Sequence, residues 1–232
     1  MRSRDASCDR AAAGDNRSRR WPPDGDSPPA RPARPARPSG RPAVYTAFRT
    51  ALSRTDTASV FVRDYIRARP GDKVLDIGCG PCVILRDLPD VRYTGVEPDA
   101  RYVAEARRQY GGRARFILGT GRTVALDDAG SYDIALAIGV LHHLNEGDAG
   151  DLLRFARLAI RPGGRLVTLD CGFTADQSLV SRFIVGLDRG RHIRAPEQYV
   201  RLIDDVFSGC SVVVRHDLLR LLYTHDICEA TA

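Results

Sequence analysis

From Lys73 onward the chain alternates between two kinds of apolar pattern, and that alternation leaves few architectures open to it. KVLDI (73–77), VRYTGVEP (91–98), ARFIL (114–118), YDIALAIGV (132–140) and RLVTLDC (165–171) are short and rich in branched or aromatic residues, as strands are. The fourth is apolar almost throughout, which suits a strand covered on both faces. Between them the apolar spacing becomes helical. One helix is predicted over 100–110, stopped by Gly111-Gly112. A second runs over 146–160 through Leu152, Leu153, Phe155, Ala156 and Ile160, and Arg161-Pro162-Gly163-Gly164 ends it. Two more helical stretches, 178–187 and 196–207, precede CSVVVRH (210–216) and LLYTHDICEA (221–230). The last two, linked around Asp217, read as an antiparallel hairpin. The pattern predicts an α/β domain: a doubly wound, mostly parallel seven-stranded sheet with helices on both sides and a C-terminal hairpin. Ahead of it, Asp56 is a fitting N-cap for a helix through Ala58, Phe61, Val62, Tyr65 and Ile66, closed by Pro70-Gly71.

Residues 1–43 have the opposite character. They hold eight prolines, ten Arg and five Asp, and the tract Ala30-Arg31-Pro32-Ala33-Arg34-Pro35. Such a segment buries too little apolar surface to offset its ordering entropy, so a disordered Arg/Pro-rich tail is expected, with the folded domain over 44–232. An idle extension is the plainer reading; an arm for an acidic partner is the other. The tail also accounts for five of the six net positive charges, leaving one for the other 189 residues. A nearly neutral folded part argues against nucleic acid as a partner. The longest apolar run, Ile134 to Leu141, is too short to span a membrane. Arg19-Arg20-Trp21 is followed by Pro-Pro-Asp-Gly-Asp rather than an apolar export segment. A cytoplasmic protein with reduced thiols is expected.

The most informative residues lie where the first strand ends, at Asp76-Ile77-Gly78-Cys79-Gly80-Pro81-Cys82. Cys79-Gly80-Pro81-Cys82 has the spacing of a redox dithiol, but neither a preceding tryptophan nor a later cis-proline strand accompanies it. Gly78 and Gly80 instead permit a tight turn with close backbone approach to a ligand. In a doubly wound sheet a cofactor sits at the carboxyl ends of the strands, where their order reverses. A dinucleotide fingerprint needs a third glycine at position 83, which is Val83. An acid immediately before the first glycine also suits a cationic ligand better than a pyrophosphate. Glu97, at the end of the second strand, can accept both hydroxyls of a ribose.

VLDIGCGPC, GVEPD, DIALAIGVLHHL and IRPGGRLV, in this order and spacing, resemble successive motifs of the class I S-adenosylmethionine-dependent methyltransferases. The similarity covers about residues 56–228 and is nearest to the small-molecule type. It implies a Rossmann-like fold and S-adenosyl-L-methionine as cofactor. Asp76 would take the methionine amino group. Gly78, Cys79 and Gly80 would line the methionine and ribose, and Glu97 would hold the ribose diol. Pro98 and Asp99 would flank the adenine. Thr120 and Gly121 stand where the family often has an acid for the adenine amino group. Ile138 and Gly139 would lie against the cofactor. Cys82 occupies the position of the third glycine, a change expected to be tolerated.

Methyl transfer to a hydroxyl needs a base near the transition state. His142 and His143 follow the fourth strand, and Asp170 closes the fifth on the same edge, so these three are the candidate base and its orienting groups. Of the two histidines, His143 is the one expected to serve structure. The stretch DRGRHIR (188–194) is either a guanidinium site for an acidic acceptor or a solvated surface. Residues 44–55 are candidates for a lid. Asp226 sits oddly in an apolar strand, with an edge position as its only rationale. No metal-ligand cluster is evident. The expected function is methylation of a small molecule at oxygen, of the sugar or secondary-metabolite type. The alternatives are a methyltransferase fold that only binds, an NAD-type oxidoreductase, and methylation of RNA or protein. The sequence leaves the acceptor and the oligomeric state open.

Overall fold

The computed structural model describes residues 57–186, 190–218 and 223–232. The proposed tail, the 44–55 lid segment and the Asp56 cap lie outside them. The described residues all fall within the unit Gly40–Ala232.

Seven strands form one sheet: β1 (Lys73–Ile77), β2 (Arg92–Glu97), β3 (Ala114–Leu118), β4 (Tyr132–Ile138), β5 (Ile160–Cys171), β6 (Ser208–Arg215) and β7 (His225–Thr231). Their order is β3-β2-β1-β4-β5-β7-β6. The first five are parallel, and β7 pairs antiparallel with both β5 and β6. The expected sheet and its C-terminal hairpin are therefore present. The strand order reverses between β1 and β4, which opens a crevice at their carboxyl ends.

The helices are α1 (Thr57–Phe61), α2 (Ala100–Tyr110), α3 (Glu146–Ala159), α4 (Leu179–Gly186) and α5 (Pro196–Asp204). A π turn over Val62–Ile66 extends α1 and ends at Arg67 in a left-handed conformation, three residues before the expected Pro70 stop. Asp99 caps α2, its carboxylate accepting from Arg101 N at 2.9 Å. Asn145 caps α3 through Asp148 N, also at 2.9 Å. α3 buries Leu152, Leu153 and Phe155 on the sheet, each contributing about 1.5–3 kcal/mol. β5 begins at Ile160 rather than Arg165, because Ile160 already pairs with Tyr132 before a register shift.

Alternate strand residues feed two cores. Leu75, Ile77, Ala135, Ala137 and Leu166 pack with Leu153, Tyr199 and Ile203 of α3 and α5. Val74, Ile134, Leu136, Val167 and Ile227 pack with Phe61, Leu85 and Val103 on the other face. The expected edge position of Asp226 is corrected. β7 lies inside the sheet, because β6, which precedes it in the chain, is the outer strand.

Candidate active site

β1 delivers Asp76 to the crevice almost fully buried. β2, in register with it (Asp76 opposite Gly95), places Tyr93 close by. The Tyr93 hydroxyl donates to Asp76 Oδ2 at 2.5 Å and accepts from the Cys82 thiol at 2.9 Å. Asp76 Oδ1 is buried with no partner. Burial pushes the Asp76 carboxyl up to about 7; Tyr93 opposes this and the Glu97 charge adds to it. A buried, half-satisfied carboxylate of this kind is stabilised by a cation.

The turn after β1 is shaped for close approach. Gly78 (φ +76°) is pressed by Val140, whose Cγ2 would lie 2.7 Å from a Cβ there. Gly80 (φ +54°) faces open space. Its N–H donates to Glu97 Oε2 at 3.0 Å, and Asp99 N donates to Glu97 Oε1 at 2.9 Å. Both Glu97 oxygens are thus fixed by backbone while keeping lone pairs for a diol. Burial raises the Glu97 carboxyl against those two hydrogen bonds.

The two loop cysteines are free thiols. Cys79 is joined to Cys82 by the turn, Cys82 N donating to Cys79 O at 2.9 Å. Contact with the Cys82 thiol and burial both push the Cys79 thiol up, away from the thiolate a redox pair needs. Cys82 is fully buried at φ +60°. This left-handed conformation explains why glycine suits the position. Gly95 is the space in which Cys79 rests: a Cβ there would lie 2.7 Å from the sulfur.

The remaining cofactor candidates are less uniform. Ile138 and Gly139 (φ +69°) end β4, with Gly139 N bonded to Leu169 O. Pro98 is exposed, and the Asp99 carboxylate is committed to capping α2 and pairing with Arg101. Thr120 is exposed, and its hydroxyl is engaged in a local turn with Arg122 and Thr123. Gly121 abuts Phe155.

On the same sheet edge a one-turn helix, Leu141–His143, follows β4. His142 is buried. Its Nδ1 lies 2.7 Å from Asp170 Oδ1, which also accepts from His142 N at 3.1 Å. Asp170 thus fixes both the backbone and the ring of His142. The burial of the two histidines runs opposite to expectation: His143 is the exposed one. A Cβ on Gly190 would come within 2.4 Å of His142 Cδ2, so this glycine admits the ring. Arg194 is neither an acceptor site nor a solvated charge. It is buried and bonds the carbonyls of Leu141 and Leu144, each at 2.8 Å. It staples the histidine turn. Asp188 and Arg189 lie outside the described residues.

Tyr93, Gly95 and Val140 were missed as contributors, and Arg194 was assigned a different role. Only the β1–β2 register reveals Tyr93 and Gly95. Two cavities are present, one remote from this constellation and one beside the histidine turn. One of about 450 Å³, lined by Lys73, Arg92, Arg113, Arg115 and Asp128, lies at the opposite ends of the strands. The other, about 640 Å³, is a groove between Asn145–Gly147 and Arg191–Arg194. Among the described residues no His/Cys/Asp/Glu group could hold a metal, and no helix is long and apolar enough to cross a membrane.

The sequence profile described as "Methyltransferase domain" matches residues 74–164. An uncharacterized 37.1 kDa protein in transposon TN4556 of Streptomyces fradiae is 37% identical over 126 residues, covering 50% of this chain and 36% of that protein. The 27-O-demethylrifamycin SV methyltransferase of Amycolatopsis mediterranei is 34% identical over 110 residues, covering 44% and 39%. The chain thus spans well under half the length of these curated relatives. Human N-acetylserotonin methyltransferase, solved with SAM, shares the fold at a TM-score of 0.60 and 17% identity, over 76% of this chain and 51% of that one.

Proposed function

Taking residues 74–164 as a methyltransferase domain of the class I S-adenosylmethionine-dependent family, we propose that the protein methylates a small-molecule acceptor at oxygen. One observation carries the reading: the buried, unpartnered Asp76 Oδ1 beside the glycine turn. A cationic amino group is the natural occupant of that position. S-adenosylmethionine has such a group, and a ribose diol for Glu97. When bound, it supplies an activated methyl group.

The chain's own residues would do the rest. Asp76 and Glu97 hold the two polar ends of the cofactor, and Gly78 and Gly80 let the backbone come close. Asp170 fixes the tautomer of His142 with the proton on Nδ1, which makes Nε2 the basic atom. His142 then takes the acceptor's hydroxyl proton, and Asp170 stabilises the imidazolium that forms. Orientation of the two reactants supplies most of the remaining rate. The choice of oxygen draws support from the histidine–carboxylate pair and from the relative named for O-demethylrifamycin methylation. Leu179, Val180 and Phe183 of α4 expose their apolar side chains.

Calorimetric titration with S-adenosylhomocysteine, with NAD as control, tests the reading. Micromolar binding that is lost in Asp76→Ala and Glu97→Ala supports it; binding of NAD alone overturns it. Binding without turnover on a panel of hydroxylated acceptors would favour the binding-only alternative.

A further inference from the structure

Among the described residues the reading above uses three buried carboxylates, Asp76, Glu97 and Asp170, and leaves a fourth, Asp226, without a role. Asp226 of β7 stands directly opposite Asp170 of β5 in the antiparallel ladder. Opposed residues have their Cβ atoms about 4.5–5.5 Å apart on one face. Asp226 is fully buried, and neither of its oxygens has a partner. Asp170 Oδ2 is likewise buried and unpartnered, while Asp170 Oδ1 serves His142. Gly172, two residues beyond Asp170, makes the room: a Cβ there would lie 1.8 Å from Asp226 Oδ2. The Asp226 carboxyl therefore reaches toward the carboxyl end of β5, where the candidate site lies.

Among the described residues no lysine or arginine forms an ion pair with either carboxylate, and His142 is the basic group on Asp170. Glu197 and Tyr199 face the two carboxylates from α5. Arg194, just before α5, is committed to backbone carbonyls. Val214 opposes Asp226 from β6, and His225 is its neighbour on β7. Two ionised carboxylates side by side in such surroundings are strongly disfavoured.

We propose that Asp226 is a positioning residue that shares one proton with Asp170, its carboxylic O–H donating to Asp170 Oδ2. This satisfies two of the three orphaned oxygens. It also fixes the charge beneath His142 at one negative unit rather than two. A second negative charge would favour imidazolium in the resting protein and remove the base. With the proton retained on Asp226, His142 stays neutral until it receives the acceptor's proton. Burial, with Asp170 and Glu197 nearby, pushes the Asp226 carboxyl up to about 7, in keeping with this role. The inference rests on the methyltransferase reading only for the use to which His142 is put.

The test is carbon-detected NMR of the free protein labelled at the aspartate carboxyl carbons, with histidine C–H signals followed in parallel. In the wild type, Asp226 should titrate near neutral pH, and the Asp170 carboxyl signal should move with it. In Asp226→Asn the amide still donates to Asp170, so the Asp170 signal should lose that step. Below neutral pH the His142 C–H signals should be unchanged, because both proteins carry one negative unit beneath the ring. Asp226→Leu should lose the step as well, but it leaves Asp170 Oδ2 without a donor, so the Asp170 carboxyl signal should differ in position from that of the Asn variant. An Asp226 signal that titrates alone below pH 5 would overturn the proposal. So would an Asp170 signal blind to the Asn substitution. The wild-type measurement stands even if the Leu variant fails to fold. S-adenosylhomocysteine added to the same sample reports separately on the methyltransferase reading.

Discussion

Binding of S-adenosylhomocysteine should be coupled to loss of a proton from Asp76. In the free protein this carboxyl sits near 7, because burial outweighs the Tyr93 hydrogen bond. An ammonium group beside it lowers such a carboxyl by about 1–3 units. At pH 6 only about a tenth of the free protein then carries the ionised form, and at pH 8 about nine-tenths. Affinity should therefore rise about tenfold from pH 6 to pH 8 and then level off. At pH 7 about half a proton should leave per ligand bound. Calorimetry in two buffers of different ionisation enthalpy reads that proton directly. Asp76→Asn cannot ionise, so the part of the slope that Asp76 supplies should vanish. Its affinity at pH 8 should fall by about 1.5–3 kcal/mol, the range for a hydrogen bond to a charged group. That is roughly 10- to 150-fold. Glu97 is also raised and can add a slope of its own, which the Asn variant would retain. Affinity that is flat between pH 6 and 8 in the wild type, or an unchanged slope in Asp76→Asn, would refute the reasoning.

Four further outcomes are expected. The apoprotein should lose stability between about pH 4 and 7, because folded Asp76 and Asp226 hold protons that the unfolded chain has released; urea melts at pH 5 and pH 8 that show no loss would contradict this. Gly95→Ala should destabilise by about 1–3 kcal/mol and weaken S-adenosylhomocysteine binding, since its methyl group would displace the Cys79 sulfur; denaturation plus calorimetry checks both. Cys82→Gly should be nearly neutral, relief of the left-handed strain offsetting the lost thiol contact, whereas Cys82→Val should destabilise by more than about 2 kcal/mol, because a branched side chain tolerates φ +60° poorly. Asp170→Asn should cut turnover on an accepted substrate by about 10²–10⁴ while leaving S-adenosylhomocysteine affinity within threefold; an equal loss in both would make Asp170 a structural residue instead.

The sheet was legible because its strands are short, apolar and separated by strong stops. The cradle was legible where one local segment carries it, at Asp76, Gly78 and Gly80. What escaped depends on neighbours remote in sequence. Tyr93 reaches Asp76 only through the β1–β2 register, and Gly95 matters only because Cys79 folds over it. Arg194 looked like an exposed charge because nothing in its segment announces the carbonyls of Leu141 and Leu144. Asp226 looked like an edge residue because a hairpin read in chain order puts its second strand outermost. The sheet instead inserts it beside β5, where pairing with Asp170 becomes possible. The relative burial of His142 and His143 was likewise invisible, since both lie in one short turn.

The inserted position of β7 also shapes how the domain comes to be folded. β6 is synthesised first, yet its partner in the sheet is β7 and not β5. Until β7 docks, β5 presents an open hydrogen-bonding edge and β6 has no sheet to join. Closing that gap requires pairing Arg165 with Thr231 and Asp170 with Asp226, contacts distant along the chain. Such contacts cost more loop-closure entropy than local ones. The pairing of Asp170 with Asp226 therefore waits on the synthesis of β7, and a nascent or truncated chain lacking β7 exposes β5 to edge-on association.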